Sequence, residues 1–252
     1  MPISPIKFVP PLIAHRGASS IAPENTLAAF LLAKQQGATW VEFDVMLTAD
    51  GEAVVIHDES LERTTNGIGD VDKIIYSQLA KLDAGSWFNP AFADERVPTL
   101  REVITFLKKH QLAANVEIKA IPGQEAAVVT KVLAEIKQYW SATMTPPLIS
   151  SFSMPILQQV RQQQPEALIG MLIHEWFDGW EEIAEALNPV SMNMNEEIMT
   201  PTVATQFKNN NKLITCYTVN QPARAMELFA MGVDAVFTDR VPELLTAIQV
   251  SE

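Results

Sequence analysis

The chain has 252 residues, 48% of them hydrophobic, and a formal net charge of −12 at pH 7. That length fits one large domain, such as an α/β barrel of about 250 residues, or two small ones, and the apolar fraction is enough for a substantial core. No run of 18 apolar residues occurs, so no membrane span or stable membrane anchor is expected, and the acidic balance disfavours nucleic acid and anionic membranes as partners.

The first eleven residues carry Lys7 and four prolines with no apolar stretch behind a basic start, which does not read as a signal peptide. A single cysteine, Cys216, excludes an intrachain disulfide and nearly excludes a cysteine-based metal site, so a cytoplasmic location is the simplest fit. Any anionic ligand must meet a local cationic group or a bound metal that reverses the sign of the field. Nothing in the sequence fixes an oligomeric state.

In chain order, Leu12–Gly17 reads as a strand leading into a loop, and Asn25–Gln36 as a helix capped by Asn25 with Gly37 just past its end. Trp40–Val45 is a strand, and Val54–His57 a short extended run after the Asp50-Gly51 turn signal. Thr99–His110 is a helix with capping-box spacing at Thr99 and Glu102. Strand Ala114–Lys119 precedes helix Gln124–Tyr139. Strand Leu148–Phe152 precedes a helix near Met154–Gln163, and Ala167–Ile173 one near Gly179–Leu187, where Asp178 and Glu181 repeat the capping-box spacing. Val190–Asn195 precedes Pro201–Asn210, opened by Thr200 and a proline at its first position. Leu213–Val219 precedes Pro222–Met231, and Ala235–Thr238 precedes Pro242–Gln249.

Eight strand–helix units result if Val54–His57 joins the loop after the second strand. Several strands are apolar runs, as parallel strands buried on both faces require. The expected fold is an eight-stranded parallel (β/α)8 TIM barrel over residues 1–252, a single domain. An open doubly wound sheet is the alternative, but Gly17 stands alone where a nucleotide loop would be glycine-rich. Asp58–Pro98 is too long for an ordinary connection and is expected to be an insertion or lid-like region, with surface decoration as the bland alternative.

Glu42 and Asp44 share one face of an otherwise apolar strand, and Glu117 lies at the corresponding end of the next barrel strand, sharing a face with Lys119. Adjacent buried carboxylates repel and lose hydration unless a cation or protons compensate, and a divalent metal suits such hard oxygen ligands. Structural salt bridges, including a Glu117–Lys119 pair, remain open. His15 and His57 fall where strands meet loops, the functional face of such a barrel, and two imidazoles flanking a phosphorus suit proton transfer. Arg16 could grip a phosphoryl group through its fork or bridge Glu42 or Glu117.

The fragments His15-Arg16-Gly17, Pro23-Glu24-Asn25-Thr26, Val41-Glu42-Phe43-Asp44-Val45, His57-Asp58, Leu61-Glu62-Arg63-Thr64-Thr65-Asn66-Gly67, Pro98-Thr99-Leu100, Glu117-Ile118-Lys119, Thr218-Val219-Asn220 and Gly232-Val233-Asp234 through Asp239 occur in that order along the chain. Together they make it resemble the glycerophosphodiester phosphodiesterase family. The resemblance implies a barrel with an insertion after the second strand, and one divalent cation, calcium or magnesium, on Glu42, Asp44 and Glu117. It implies His15 and His57 as the acid/base pair, with Arg16 and Lys119 at phosphate-contact positions. The implied activity is hydrolysis of a small-molecule glycerophosphodiester, such as glycerophosphocholine or glycerophosphoethanolamine, to glycerol 3-phosphate and an alcohol. Two positions depart from the family pattern. Tyr217 stands where tryptophan is common and is expected to contact the substrate backbone, and Val241 replaces a proline at the entry to the last helix. Rival readings are a lysophospholipid phosphodiesterase, a glycosidase using the paired carboxylates, and a catalytically weak phosphometabolite-binding barrel.

Overall fold

A computed structural model of the chain describes residues 9–119 and 121–251. Nine strands form one sheet: β1 (Leu12–Ala14), β2 (Trp40–Leu47), β3 (Ala53–Val55), β4 (Ala113–Ile118), β5 (Leu148–Ser151), β6 (Leu168–Ile173), β7 (Ser191–Asn195), β8 (Leu213–Tyr217) and β9 (Ala235–Thr238). All except β3 run parallel, and the ring closes because β1 pairs with both β9 and β2. The helices are α1 (Leu27–Gln35), α2 (Tyr76–Leu79), α3 (Leu100–His110), α4 (Glu125–Tyr139), α5 (Met154–Gln163), α6 (Trp180–Leu187), α7 (Pro201–Asn209), α8 (Pro222–Ala230) and α9 (Val241–Ser251). The result is the expected (β/α)8 barrel, and among the described residues no helix is long and apolar enough to cross a membrane.

The period-2 alternation of each strand sorts the barrel wall into two environments. Val41, Phe43 and Val45 of β2, with Met192 and Met194 of β7, join the large core shared with the surrounding helices. The other parity faces the axis. At the bottom Ile13, Trp40, Ala113, Leu148 and Ala235 make an apolar floor. One step up, Glu42, Asn115, Ser150, Asn193 and Thr215 are polar and buried. Asn115 Nδ2 donates to Ser150 Oγ at 2.8 Å, and Ser191 Oγ to Asn193 Oδ1 at 2.7 Å. One further step reaches the mouth with Asp44, Glu117 and Tyr217. The axis thus passes from apolar to ionisable within three side-chain layers, which places the carboxylates at the C-terminal ends of the strands.

The run expected around Val54–His57 is the return arm of a hairpin. β2 overshoots the rim, turns at Thr48–Glu52, and comes back as β3, antiparallel, with Val45 opposite Val55 and Leu47 opposite Ala53. His57 therefore does not end a parallel strand. It is carried back toward the rim, where the Ile56 N–H donates to the Asp44 carbonyl at 3.1 Å. The segment from Asp58 to Pro98 starts and ends beside this hairpin, since the Val55 N–H donates to the Pro98 carbonyl at 2.8 Å. It has a small core of its own, Leu61, Val71, Leu79, Ala84 and Val97, resting on Met46, Val54 and Ile56.

Two local expectations fail for one reason each. Asn25 does not cap α1; Thr26 does, accepting from the Ala29 N–H, while Asn25 sits at φ 59° with its side chain turned to Asp44. The Asp178 and Glu181 spacing makes no capping box, because α6 begins after Gly179, which stands at the cap position with φ 86° and offers no side chain. At α3 the box is complete, with Thr99 Oγ1 accepting from the Glu102 N–H and Glu102 accepting from the Thr99 N–H at 2.8 Å. Equal spacing should therefore have unequal effects. Thr99→Ala is expected to lower unfolding stability by about 0.5–2 kcal/mol, and Asp178→Ala to leave it nearly unchanged, as read from denaturant midpoints.

Candidate active site

A cavity of about 210 Å³ opens at the mouth of the barrel, lined on one side by His15, Arg16, Glu42, His57, Asn115 and Glu117. Its other wall is apolar, with Phe152, Leu172, Tyr217 and Phe237. Tyr217 packs edge-on against Phe152 with centroids 5.7 Å apart, and its hydroxyl donates to the Ile173 carbonyl at 3.0 Å, so the ring rather than the hydroxyl faces the space. No residue of Asp58–Pro98 lines this cavity; that segment lies beside it, with Thr64, Ala84 and Val97 near Glu24–Thr26.

Strand register brings the carboxylates together. Glu42 pairs across the sheet with Asn115, and Asp44 with Glu117. Ligand-type oxygens of Glu42, Asp44 and Glu117 lie within 4.8 Å of one another, and all three residues are buried. Burial first, then the negative charge of Asp44, raises the Glu117 carboxyl to about 7 despite the nearby Lys119. Burial, Asp44 and Glu117 push Glu42 well above the usual carboxylate range. Glu42 Oε1 is buried with no hydrogen-bond partner among the described residues. Asp44 is aimed by Asn25, whose Nδ2 donates to Asp44 Oδ2 at 2.9 Å. An oxygen-rich, electrostatically frustrated set with an orphaned acceptor fits a divalent cation, because such an ion satisfies the lone pairs and removes the repulsion together.

Lys119 Nζ stands 3.3 Å from Glu117 Oε1, 3.8 Å from Asp44 Oδ1 and 3.2 Å from His57 Nε2. Arg16 belongs to a tight turn in which it and Gly17 both have left-handed backbone, at φ 55° and 84°. A Cβ on Gly17 would fall 2.7 Å from the Ala29 backbone, so glycine is required there. The turn aims the Arg16 N–H at Glu42 Oε2, 3.0 Å away. Its guanidinium holds Glu24 through Nη1 at 2.8 Å, while Nη2 has no hydrogen-bond partner among the described residues.

Each histidine is oriented by a carboxylate that sequence reasoning left without a role. His15 Nδ1 meets Asp239 Oδ1 at 2.8 Å, and Asp239 is fixed in turn by Ser19 and Asn220. Burial opposes ionisation of Asp239, but hydrogen bonds from His15, Asn220 and Ser19 hold it down to about 2. His57 Nδ1 meets Asp58 Oδ1 at 2.6 Å. A carboxylate only accepts, so both Nδ1 atoms carry a proton and each Nε2 is the atom left to exchange one. For His57, burial first, with Arg16 and Lys119 adding to it, lowers the pKa and favours the neutral ring. His110 and His174 take no part: His110 stacks on Phe106, and His174 is exposed beyond β6.

Proteins of known description are similar to the chain over most of its length. The family model described as "Glycerophosphoryl diester phosphodiesterase family" matches residues 15–243. A glycerophosphodiester phosphodiesterase of Caldanaerobacter subterraneus is 35% identical over 94% of this chain and 97% of its own length. One from Bacillus subtilis is 32% identical over 94% of this chain and 85% of its own. Among solved structures, an Oleispira antarctica phosphodiesterase in complex with the product sn-glycerol-3-phosphate superposes with a TM-score of 0.93 at 35% identity, covering 96% of this chain and 97% of that one. A fold, a sequence pattern and an acidic site that agree over this span have one reading: the chain is an enzyme of the glycerophosphoryl diester phosphodiesterase family.

Proposed function

We propose that this enzyme hydrolyses small glycerophosphodiesters, such as glycerophosphocholine and glycerophosphoethanolamine, to glycerol 3-phosphate and the free alcohol. The observation that carries this reading is the placement of three buried carboxylates beside two carboxylate-oriented imidazoles on one cavity. The residues assigned to the cation are Glu42, Asp44 and Glu117, and the ion is calcium or magnesium, in keeping with an all-oxygen donor set. An ion held there would supply Lewis acidity, stabilising negative charge on the phosphoryl group.

The remaining chemistry falls to the side chains. His15 and His57 are the acid/base pair: one Nε2 takes a proton from the attacking oxygen, and the other ring returns a proton to the departing alkoxide. Arg16, through its spare Nη2, and Lys119, through its ammonium, contact the remaining phosphate oxygens. Tyr217, braced by Phe152, packs against the glycerol carbons. Residues 1–252 act as one catalytic domain, with 58–98 as an insertion beside its mouth. A cytoplasmic location suits a chain whose single cysteine, Cys216, is buried and unpaired. The cavity of about 210 Å³ has room for a small diester at the acidic trio.

Metal-stripped protein, restored separately with calcium, magnesium or manganese, should release glycerol 3-phosphate and choline in equal amounts from glycerophosphocholine. It should act far more slowly on lysophosphatidylcholine; preference for the lysolipid would overturn the assignment. Glu42→Ala and Asp44→Ala should each weaken metal binding by calorimetry and lower kcat/KM by at least about 100-fold, since even outer-shell changes at metal sites cost roughly 10–100-fold. Unchanged binding and rate in both would defeat the ligand set. Without metal, the contribution of Glu117 to stability should be fully present below the ordinary glutamate range and lost as pH rises through about 7, because its folded-state pKa is raised. Adding metal should therefore raise Tm more at pH 8 than at pH 5, and an equal gain at both would count against the cluster.

A further inference from the structure

Arg63 lies on the insertion, outside the cavity, with a side chain 43% exposed. Its guanidinium nevertheless reaches both flanks of the site. Nε and Nη2 hydrogen-bond Asp58 Oδ2 and Oδ1, at 2.5 and 2.9 Å. Nη1 and Nη2 hydrogen-bond Glu24 Oε2 and Oε1, at 2.6 and 2.9 Å. Each carboxylate has a second duty. Asp58 accepts from the His57 ring, and Glu24 accepts from Arg16 Nη1. The two come from different parts of the chain, Glu24 from the loop between β1 and α1, and Asp58 from the end of the β3 hairpin. Arg63 is the side chain that hydrogen-bonds both.

We propose that Arg63 is a positioning residue for the reaction, locking His57 through Asp58 and Arg16 through Glu24 into one arrangement. This rests on the roles given above to His57 and Arg16. The turn that presents Arg63 is held without its side chain: the Leu61 N–H donates to the Gly69 carbonyl at 2.9 Å, and Thr65 Oγ1 donates to the Leu61 carbonyl at 2.7 Å while accepting from the Gly67 N–H. Leu61, Thr64 and Thr65 are buried beneath it. The fork is thus delivered from a fixed base, and its loss should not unfold the turn. Exposed ion pairs add little to stability, so the contribution of this one lies in geometry. Without Arg63, Asp58 and Glu24 lose their shared cation, the His57 ring loses its fixed acceptor, and Arg16 loses the fixed end of its tether. A lysine cannot replace it, because a single ammonium cannot pair two carboxylates through parallel bonds.

The test uses the full metal-loaded chain with Arg63→Met, Arg63→Lys and Arg63→Ala, and Lys73→Ala as a control that breaks an exposed pair with Asp72 on the same insertion. Glycerophosphocholine turnover, calorimetric metal affinity, Tm and the ring ¹⁵N resonances of His57 are measured. R63M should lower kcat about 10–100-fold, the range of outer-shell orienting partners, with metal affinity within about threefold of native. R63K should recover little, and R63A should regain part of kcat when guanidinium is added. The native His57 ring should be a single Nδ1–H tautomer, and R63M should show a mixture. A kcat within threefold of native in R63M with the His57 tautomer unchanged would overturn the proposal, as would a loss that guanidinium does not relieve and that follows Tm alone. If native protein turns nothing over, the hydrolytic reading fails by itself, while the ¹⁵N spectra still decide whether Arg63 holds the ring.

Discussion

Mutual repulsion among Glu42, Asp44 and Glu117 is the constraint around which the mouth of the barrel is arranged. Strand register places Asp44 opposite Glu117, and period-2 alternation stacks Glu42 one layer below Asp44, so their approach follows from the backbone. The surrounding groups answer that repulsion with directed dipoles and full charges: the Arg16 N–H on Glu42, the Asn25 amide on Asp44 and the Lys119 ammonium beside Glu117. They leave it incomplete, as the raised carboxyls and the orphaned Glu42 oxygen show. An acidic chain thereby concentrates a demand for positive charge at one place on its surface, where an anionic ester can profit from whatever meets that demand.

The barrel makes such an arrangement tolerable. Its outward parity joins a large apolar core, and its floor is closed by Trp40, Leu148 and their neighbours. Stability resides in these layers, away from the groups that are electrostatically unfavourable. The intermediate layer, amide and hydroxyl side chains with Glu42 among them, grades the interior from hydrocarbon to ionisable groups, and Asp44 and Glu117 lie buried one step above it. The histidines follow the same economy. Each is oriented by a carboxylate at the rim, Asp239 from the last strand's loop and Asp58 from the hairpin, so neither imidazole depends on Glu42, Asp44 or Glu117 for its orientation.

Period and local chemistry made most of the architecture readable beforehand. Strand parity put Glu42, Asp44 and Glu117 on inward faces, and the Thr99 box formed as its spacing implied. What could not be read was of two kinds. Where a backbone conformation decided the outcome, spacing misled: left-handed Gly179 disarmed the Asp178 motif, and left-handed Asn25 turned from a supposed cap into a support for Asp44. Where pairing was distant, nothing local signalled it. His15 and Asp239 are 224 positions apart, and Arg63 and Glu24 are 39 apart. Asp239, Glu24 and Arg63 lay within recognisable fragments, yet their purpose emerges only when ring closure brings Asp239 to His15 and the insertion carries Arg63 to Glu24.

The overshoot of β2 has an evolutionary corollary. Because the chain doubles back beside its own strand, the forty-odd residues that follow depart from and rejoin the scaffold at nearly one point, where Val55 meets Pro98 at 2.8 Å. Their length is therefore decoupled from the circumference of the ring. Relatives can lengthen, shorten or exchange this excursion and alter what approaches the entrance, while eight-fold closure and the spacing of the acidic trio stay as they are.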